Sequence, residues 1–295
     1  MGAQHFVRTV ADVLDWYEAV EVREFSPVAL AERRRLWTLF RAAYGTLPLA
    51  DCRPVVLLEF IAAQKGCRSN WTRRRLKATI CKPFNEADTL GLIPRNPFRG
   101  LRIPAGKDGR DWTQEEYRAI LRVAPPYSRR LIVFLRLSGG RPGEARTLRW
   151  SQIRKEVRAI VQGQHKTAHT SRAPRRIHFN GPLLKLLAWL GRNKAHPTFV
   201  FVNRMGRPWT IRALCNHMAI LRKRAGLPDD VRTHGARHTF GTNAVMNGVD
   251  LATLAQLMGH ASVKTTERYV HLAHKREWLN AAMEKAIGHN SSARD

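Results

Sequence analysis

Within about thirty-five residues the chain places Thr233-His234-Gly235-Ala236-Arg237-His238-Thr239-Phe240 and then Leu257-Met258-Gly259-His260-Ala261-Ser262-Val263-Lys264-Thr265-Thr266-Glu267-Arg268-Tyr269. Arginine grips anions through a planar fork and stays charged. Histidine hydrogen-bonds anions and moves protons near neutrality. A tyrosine hydroxyl beside such groups can attack the anion they hold. Each of these residues also has a plain packing explanation, so the stretch alone supports only an anion site. A complete site needs a second anion clamp, an acid for a leaving group and a means of holding a large polyanion.

Upstream residues can fill those needs. Arg141 follows a Gly139-Gly140 turn, with Pro142 and Glu144 in what reads as the first turn of a helix. Glycine there permits close backbone approach by a ligand, and an arginine at a helix start is well placed to grip a phosphate. Lys166, in His165-Lys166-Thr167, falls between two strand-like runs, at a strand end or hairpin tip, where it can merely sit in solvent, which position alone favours, or protonate a leaving oxygen. Lys155 lies near the same sheet and competes for that role. His234 and His238 have the i, i+4 spacing of metal ligands, but Gly235 stands where a zincin needs its glutamate, so no metal site is expected.

The elements that must position these groups are mainly helical. Apolar spacing predicts helices over Thr9–Val20, from Pro27 (capped by Ser26) to Ala43, from Pro54 and over Ser69–Leu90. In the last, Trp71, Leu76, Ile80, Phe84 and Leu90 share a side, and Pro83 is expected to kink or interrupt it. Arg33, Arg34, Arg73, Arg74, Arg75 and Lys77 line the polar faces of two of these helices and are candidate phosphate contacts. Residues 93–109 are rich in Pro, Gly and Arg and read as a basic linker, which predicts a helical domain over 1–104 and a second domain over 105–295. The first hundred residues hold one helical unit, so no additional arm-binding domain is expected.

Thr113 and Glu116 form a capping box that restarts the chain. Arg149–Ile153, Val157–Val161 and Arg175–Phe179 read as a small antiparallel sheet, and Thr198–Val202 as a buried strand. Helices are predicted over Leu183–Leu190, over Ile211–Ala225, from a Thr233 cap, over Asp250–Met258, over Thr265–Leu272 with Tyr269, and over Lys275–Ile287. His234 and Arg237 are expected on one helix face.

Composition bounds the partner. Lys+Arg is 51 against Asp+Glu 23, a formal charge of +28 over 295 residues, and 44 % of residues are apolar. This is a globular chain with a strong attraction for a polyanion. No run approaches a membrane span, the first ten residues lack a signal-peptide core, and the four cysteines form no Cys-x-x-Cys pair. Free thiols in a cytoplasmic, nucleoid-associated protein are expected.

Taken in order, the Gly139–Glu144 motif, His165-Lys166-Thr167, His234-x-x-Arg237-His238, Leu257-Met258-Gly259-His260 and Thr265-Thr266-x-x-Tyr269 resemble the tyrosine recombinase, or phage integrase, family. The likeness covers residues from about 108 to 290, and the helical unit before it looks like the family's core-binding domain. It implies a mainly α fold with a small antiparallel β-sheet. It also implies double-stranded DNA as partner, no cofactor, and a homotetramer on synapsed sites formed from a monomer or weak oligomer. By position, Arg141 and Arg237 would clamp the scissile phosphate, Tyr269 would attack it, and Lys166 would protonate the leaving 5′ oxygen. His234 and His260 would hydrogen-bond the phosphate and assist proton transfer, and Glu144 would brace the site. The two arginines are expected to favour the tyrosine phenolate. A type IB topoisomerase-like or telomere-resolving enzyme, or a catalytically silent DNA-binding protein, is the alternative use of such a scaffold. Gly235-Ala236 and Gly140 replace larger residues frequent in the family.

Overall fold

The computed structural model describes residues 7–20, 27–67, 69–106, 109–163, 174–260, 262–269 and 283. It divides into two compact units, Met1–Asp108 and Gly109–Asp295.

Helices α1 (Val10–Val20), α2 (Pro27–Tyr44), α3 (Pro54–Ala63) and α4 (Asn70–Thr89) build the first unit. Their core gathers Leu14, Tyr17, Trp37, Phe40, Phe60, Ile80 and Phe84. Ser69 caps α4 by accepting the Thr72 N–H at 3.1 Å, which satisfies one of the orphan donors of the first turn. Pro83 lies inside α4 without interrupting it. A proline leaves the carbonyl four residues back without its helical donor. Here that carbonyl belongs to Thr79, and the Trp37 indole N–H donates to it at 3.0 Å. Trp71 and Leu90 are exposed rather than on the buried side. The Pro- and Gly-rich stretch after α4 folds back on the unit: Ile93 and Phe98 are buried, and the Lys77 ammonium donates to the Leu101 carbonyl at 2.6 Å.

The second unit is also mainly helical: α5 (Gln114–Val123), α6 (Pro126–Ser138), α7 (Pro142–Arg146), α8 (Gly181–Arg192), α9 (Ile211–Arg224), α10 (Thr233–Met246) and α11 (Leu251–Met258). The predicted capping box of α5 is present. A three-stranded antiparallel sheet of β1 (Ile153–Arg154), β2 (Ala159–Gln162) and β3 (Arg175–His178) follows α7. Its register pairs Ile153 with Ile160, Ala159 with His178, and Gln162 with Arg175.

Several expectations need correction. The expected Arg149–Ile153 strand is mostly a 3-10 turn over Trp150–Gln152. Among the described residues Thr198–Val202 makes only isolated bridges, Arg149 with Phe199 and Val202 with Pro208, with no neighbouring strand to extend the ladder. Thr233 is the first helical residue of α10, and Arg232 takes the cap position. Tyr269 lies in a 3-10 turn described over Glu267–Tyr269, and residues 270–272 of the helix expected there lie outside the described residues. Ser26, Lys166 and, apart from Met283, the helix expected over Lys275–Ile287 lie outside the described residues.

α10 packs on α6 and α11, so the motif-bearing stretch is central to the second unit. The family departure at Gly235 has a steric cause. A Cβ there would lie 2.1 Å from the Trp112 indole nitrogen, which donates to the Arg232 carbonyl at 2.9 Å. Trp112 occupies the space that a larger residue at 235 would need.

Among the described residues no helix is long and apolar enough to cross a membrane, and no cluster of His, Cys, Asp or Glu could hold a metal ion. Cys52, Cys67 and Cys81 are buried free thiols, and Cys215 is an exposed one.

Candidate active site

The site forms where the C-terminal end of α11 meets the starts of α7 and β3. A helix end leaves its last carbonyls without helical donors and carries a partial negative charge. Three guanidiniums converge on this end. Arg141 Nη2 donates to the Gly259 carbonyl at 2.7 Å, and Arg237 Nη2 donates to Met258 at 2.7 Å. Arg175 Nη2 donates to Leu257 at 2.8 Å. Arg237 Nη1 also donates to the Gly139 carbonyl at 2.5 Å, tying α10 to the turn after α6.

Gly139 and Gly259 both adopt left-handed backbone, with φ of 59° and 65°. At Gly259 a side chain would be both strained and obstructed, since a Cβ would lie 2.6 Å from Arg175 Cδ. Glycine is required there for the turn and for the arginine to pass.

Among the described residues one carboxylate opposes the three cations. Glu144 accepts the Arg141 backbone N–H at 2.8 Å and Arg141 Nη1 at 2.7 Å, and lies 3.9 Å from Arg175 Nε. Burial alone would raise its pKa, but these donors outweigh burial and hold it below the usual carboxylate range. It is therefore ionised, which leaves three guanidiniums against one carboxylate, or two unbalanced positive charges. Burial, then the neighbouring Arg141, pushes the Arg237 pKa down to about 9. That direction follows from desolvation first and from the like-charged arginines second, both of which disfavour the charged form.

The histidines and the tyrosine sit beside this cluster. His260 Nδ1 is 2.7 Å from the buried Thr266 hydroxyl. Burial, and then Arg237 and Arg141, lower the His260 pKa to about 4. Tyr269 is 3 % exposed and packs with Val245, Leu254 and Met258. Its ring fits because α10 carries Gly241, where a Cβ would lie 2.5 Å from Tyr269 Cζ. Burial raises the Tyr269 pKa despite Arg268 and Arg237, so the phenol stays protonated. The expected bias toward phenolate is reversed because desolvation of the anion exceeds the attraction of the arginines.

His234 and Arg237 do not share an environment: His234 is exposed, whereas Arg237 is buried. His238 is the imidazole that reaches the tyrosine, with Nδ1 3.2 Å from the phenol oxygen. Lys155 is exposed in the turn joining β1 to β2, beyond the Ala159 end of β2. The opposite end of β2 reaches the site, where Gln162 Nε2 donates to the Glu144 carbonyl at 3.3 Å.

In the first unit, Arg34, Arg73, Arg74 and Arg75 are exposed and Arg33 and Lys77 are half-buried. Arg75 pairs with Glu32, so that cluster is partly neutralised within its own unit.

Two site residues escaped the sequence reading. Arg175 was hidden in a basic run, although the period-two burial of β3 puts it on the same face as Ile177. His238 was present in the motif and weighed only as a metal ligand.

The profile described as "Phage integrase family" matches residues 110–276. The chain belongs to the phage integrase family. Tyrosine recombinase XerC of Lacticaseibacillus casei is 38 % identical over 93 residues, which cover 30 % of this chain and 31 % of that protein. The chain therefore aligns with about a third of the length of that relative. XerC of Xylella fastidiosa is 28 % identical over 226 residues, covering 73 % of this chain and 75 % of the relative. The integrase of the Tn1549 transposon, solved in complex with transposon right-end DNA, has the same fold. Its TM-score is 0.75 at 20 % identity, covering 95 % of this chain and 99 % of that one. The integrase-family match spans every element of the arginine cluster, from the Gly139 turn through β3 and α10 to Tyr269.

Proposed function

We propose that this chain is a site-specific tyrosine recombinase that cuts duplex DNA through a 3′-phosphotyrosine and rejoins the strands. One observation carries the reading: a tyrosine beside two buried guanidiniums, Arg175 and Arg237, and the half-buried Arg141, opposed among the described residues by the Glu144 carboxylate. Such a site has room in its charge balance for a phosphodiester.

Arg141 and Arg237 hold the non-bridging oxygens, where charge accumulates during in-line attack, and preorganised donors stabilise that charge. Glu144 and the α11 carbonyls keep both forks aimed. Tyr269 attacks phosphorus and the 5′ oxygen leaves. His260, oriented by Thr266, hydrogen-bonds the phosphate, and His234 does so from the exposed rim. Lys166 protonates the leaving oxygen. Support for Lys166 over Lys155 comes from the Gln162–Arg175 end of the sheet lying against the Glu144 turn. The bond energy is kept in the phosphotyrosine, so a second 5′ hydroxyl can displace the tyrosine and reseal the strand.

The first unit supplies sequence-tolerant phosphate contacts through Arg33, Arg34, Arg73 and Arg74, with Arg75 and Lys77 also bound to local partners. Exchange between two duplexes breaks four strands. One nucleophile per chain then calls for four copies on synapsed DNA.

The test is to incubate the protein with a pool of nicked suicide duplexes of randomised sequence, isolate covalent adducts and sequence them. Adducts should map to one site with the tyrosine on a 3′ phosphate, and Tyr269→Phe should form none. Relaxation of supercoiled DNA without adduct selectivity would favour topoisomerase-like use. Adducts on Tyr269→Phe would overturn the nucleophile.

A further inference from the structure

A buried, protonated phenol is a poor nucleophile until something removes its proton. Of the three site histidines, His234 is exposed and His260 commits Nδ1 to Thr266. His238 stands one residue after Arg237 on α10, half-buried, and its ring centroid is 6.5 Å from that of Tyr269. We propose that His238 is the proton acceptor for Tyr269, taking the phenolic hydrogen on Nδ1 across the 3.2 Å contact as the oxygen bonds to phosphorus. This rests on Tyr269 being the nucleophile.

The step balances. The phenol O–H bond breaks and an Nδ1–H bond forms. The tyrosyl oxygen bonds to phosphorus, and the P–O5′ bond breaks with its electron pair on the 5′ oxygen, which is protonated from the leaving side. In the rejoining step the imidazolium returns its proton to the departing phenolate.

The surroundings keep His238 ready to accept. Burial first, and then Arg268, His234 and Arg237, lower its pKa to about 4, with Asp111 alone opposing. Its imidazole is therefore neutral near pH 7. Such a group is a weak base toward a free phenol. Its partner becomes far more acidic as the O–P bond forms, and the incoming phosphate neutralises the cations that depress it. Backbone fixes the ring: a Cβ on Gly109 would lie 3.1 Å from His238 Nε2, and Arg268 Nη2 donates to the Gly109 carbonyl at 2.9 Å. Arg268 thus holds the loop that backs the imidazole.

The experiment is single-turnover cleavage by the full-length protein of the duplex mapped above, made with a bridging 5′-phosphorothiolate at the scissile position. Sulfur leaves without a proton, so the rate reads activation of the nucleophile. His238→Asn keeps a polar atom near the Nδ1 position but has no useful proton affinity, and His238→Ala removes the group. Folding and noncovalent binding are checked by circular dichroism and gel shift. The expected result is a rate lowered about 10²-fold or more in both variants. Wild-type cleavage should be nearly flat from neutral to mildly alkaline pH, whereas variant rates should climb about tenfold per pH unit as hydroxide replaces the lost base. A His238→Asn protein cleaving at the wild-type rate, or slowed with an unchanged pH profile, would reduce His238 to a packing or positioning residue and overturn the proposal. Loss of adducts in Tyr269→Phe alongside active His238→Asn sinks this inference alone; adducts in Tyr269→Phe sink the underlying reading.

Discussion

Replacing Glu144 with glutamine removes the one negative charge that the described residues place among the three guanidiniums, while preserving shape. The glutamate side chain is 7 % exposed and that of Arg141 is 18 % exposed, so water compensates little. A glutamine can still accept one of the two Arg141 hydrogen bonds, but its amide N–H₂ then faces a donor. Removing one member of a buried ion pair costs about 3–5 kcal/mol. The surviving bond and the partial exposure of Arg141 place this variant near the lower end, about 3 kcal/mol. For a unit of this size that is a fall of roughly 6–12 °C in melting temperature. The unbalanced charge rises from two to three, so an anion should recover more stability in the variant than in the parent. Thermal and urea unfolding of both proteins, with sulfate or chloride at matched ionic strength, measures both effects. A glutamine variant as stable as the parent, or equal stabilisation of both by sulfate, would refute the view of Glu144 as counter-charge to an anion site.

Gly241→Ala should leave the unit folded but displace the Tyr269 ring, since the new methyl would fall 2.5 Å from Cζ; adduct yield on a suicide duplex should drop about 10²-fold for a displacement near 1 Å. Trp37→Phe should destabilise the first unit by about 1–3 kcal/mol in urea unfolding, because the Thr79 carbonyl released by Pro83 loses its buried donor. A smaller effect in a Pro83→Ala background would support that assignment, since the alanine N–H restores the helical bond, and an equal effect would refute it. Acid should also destabilise the second unit. His238 and His260 have pKa values near 4 in the fold against 6.5 ordinarily, so between those limits the unfolded chain binds more protons. Their contribution is fully present above about pH 6.5 and is lost as pH falls toward 4, with a slope of at most about 2.7 kcal/mol per pH unit for the pair. Bound DNA should flatten that slope, because phosphate favours the imidazolium forms; a slope unchanged by DNA would argue that neither ring faces the bound phosphate.

Much of the secondary structure was legible from local signals. The α5 capping box and Ser69 ahead of α4 are short-range hydrogen-bonding patterns written in consecutive residues. The failures share a cause. Thr198–Val202 has the apolar run of a strand, yet whether such a run pairs depends on what lies beside it. Pro83 signals a broken helix unless a distant donor takes the freed carbonyl, and Trp37 stands 42 residues away.

The motif residues behave the same way. Residue types and order sufficed to nominate Arg141, Arg237, His260 and Tyr269 as candidates for handling an anion, because guanidinium, imidazole and phenol chemistry belongs to the side chain wherever it stands; the role of Glu144 came only from the family resemblance. Charge excess alone also determined that the chain favours a polyanion. Tertiary structure decided which groups share one space and in what state. It brought Arg175 from β3 to the end of α11, left His234 exposed and set His238 against the phenol. It also reversed the expected ionisation of Tyr269. Burial and contact depend on residues far apart in the chain, and desolvation scales with that burial, so neither can be read from spacing along a sequence.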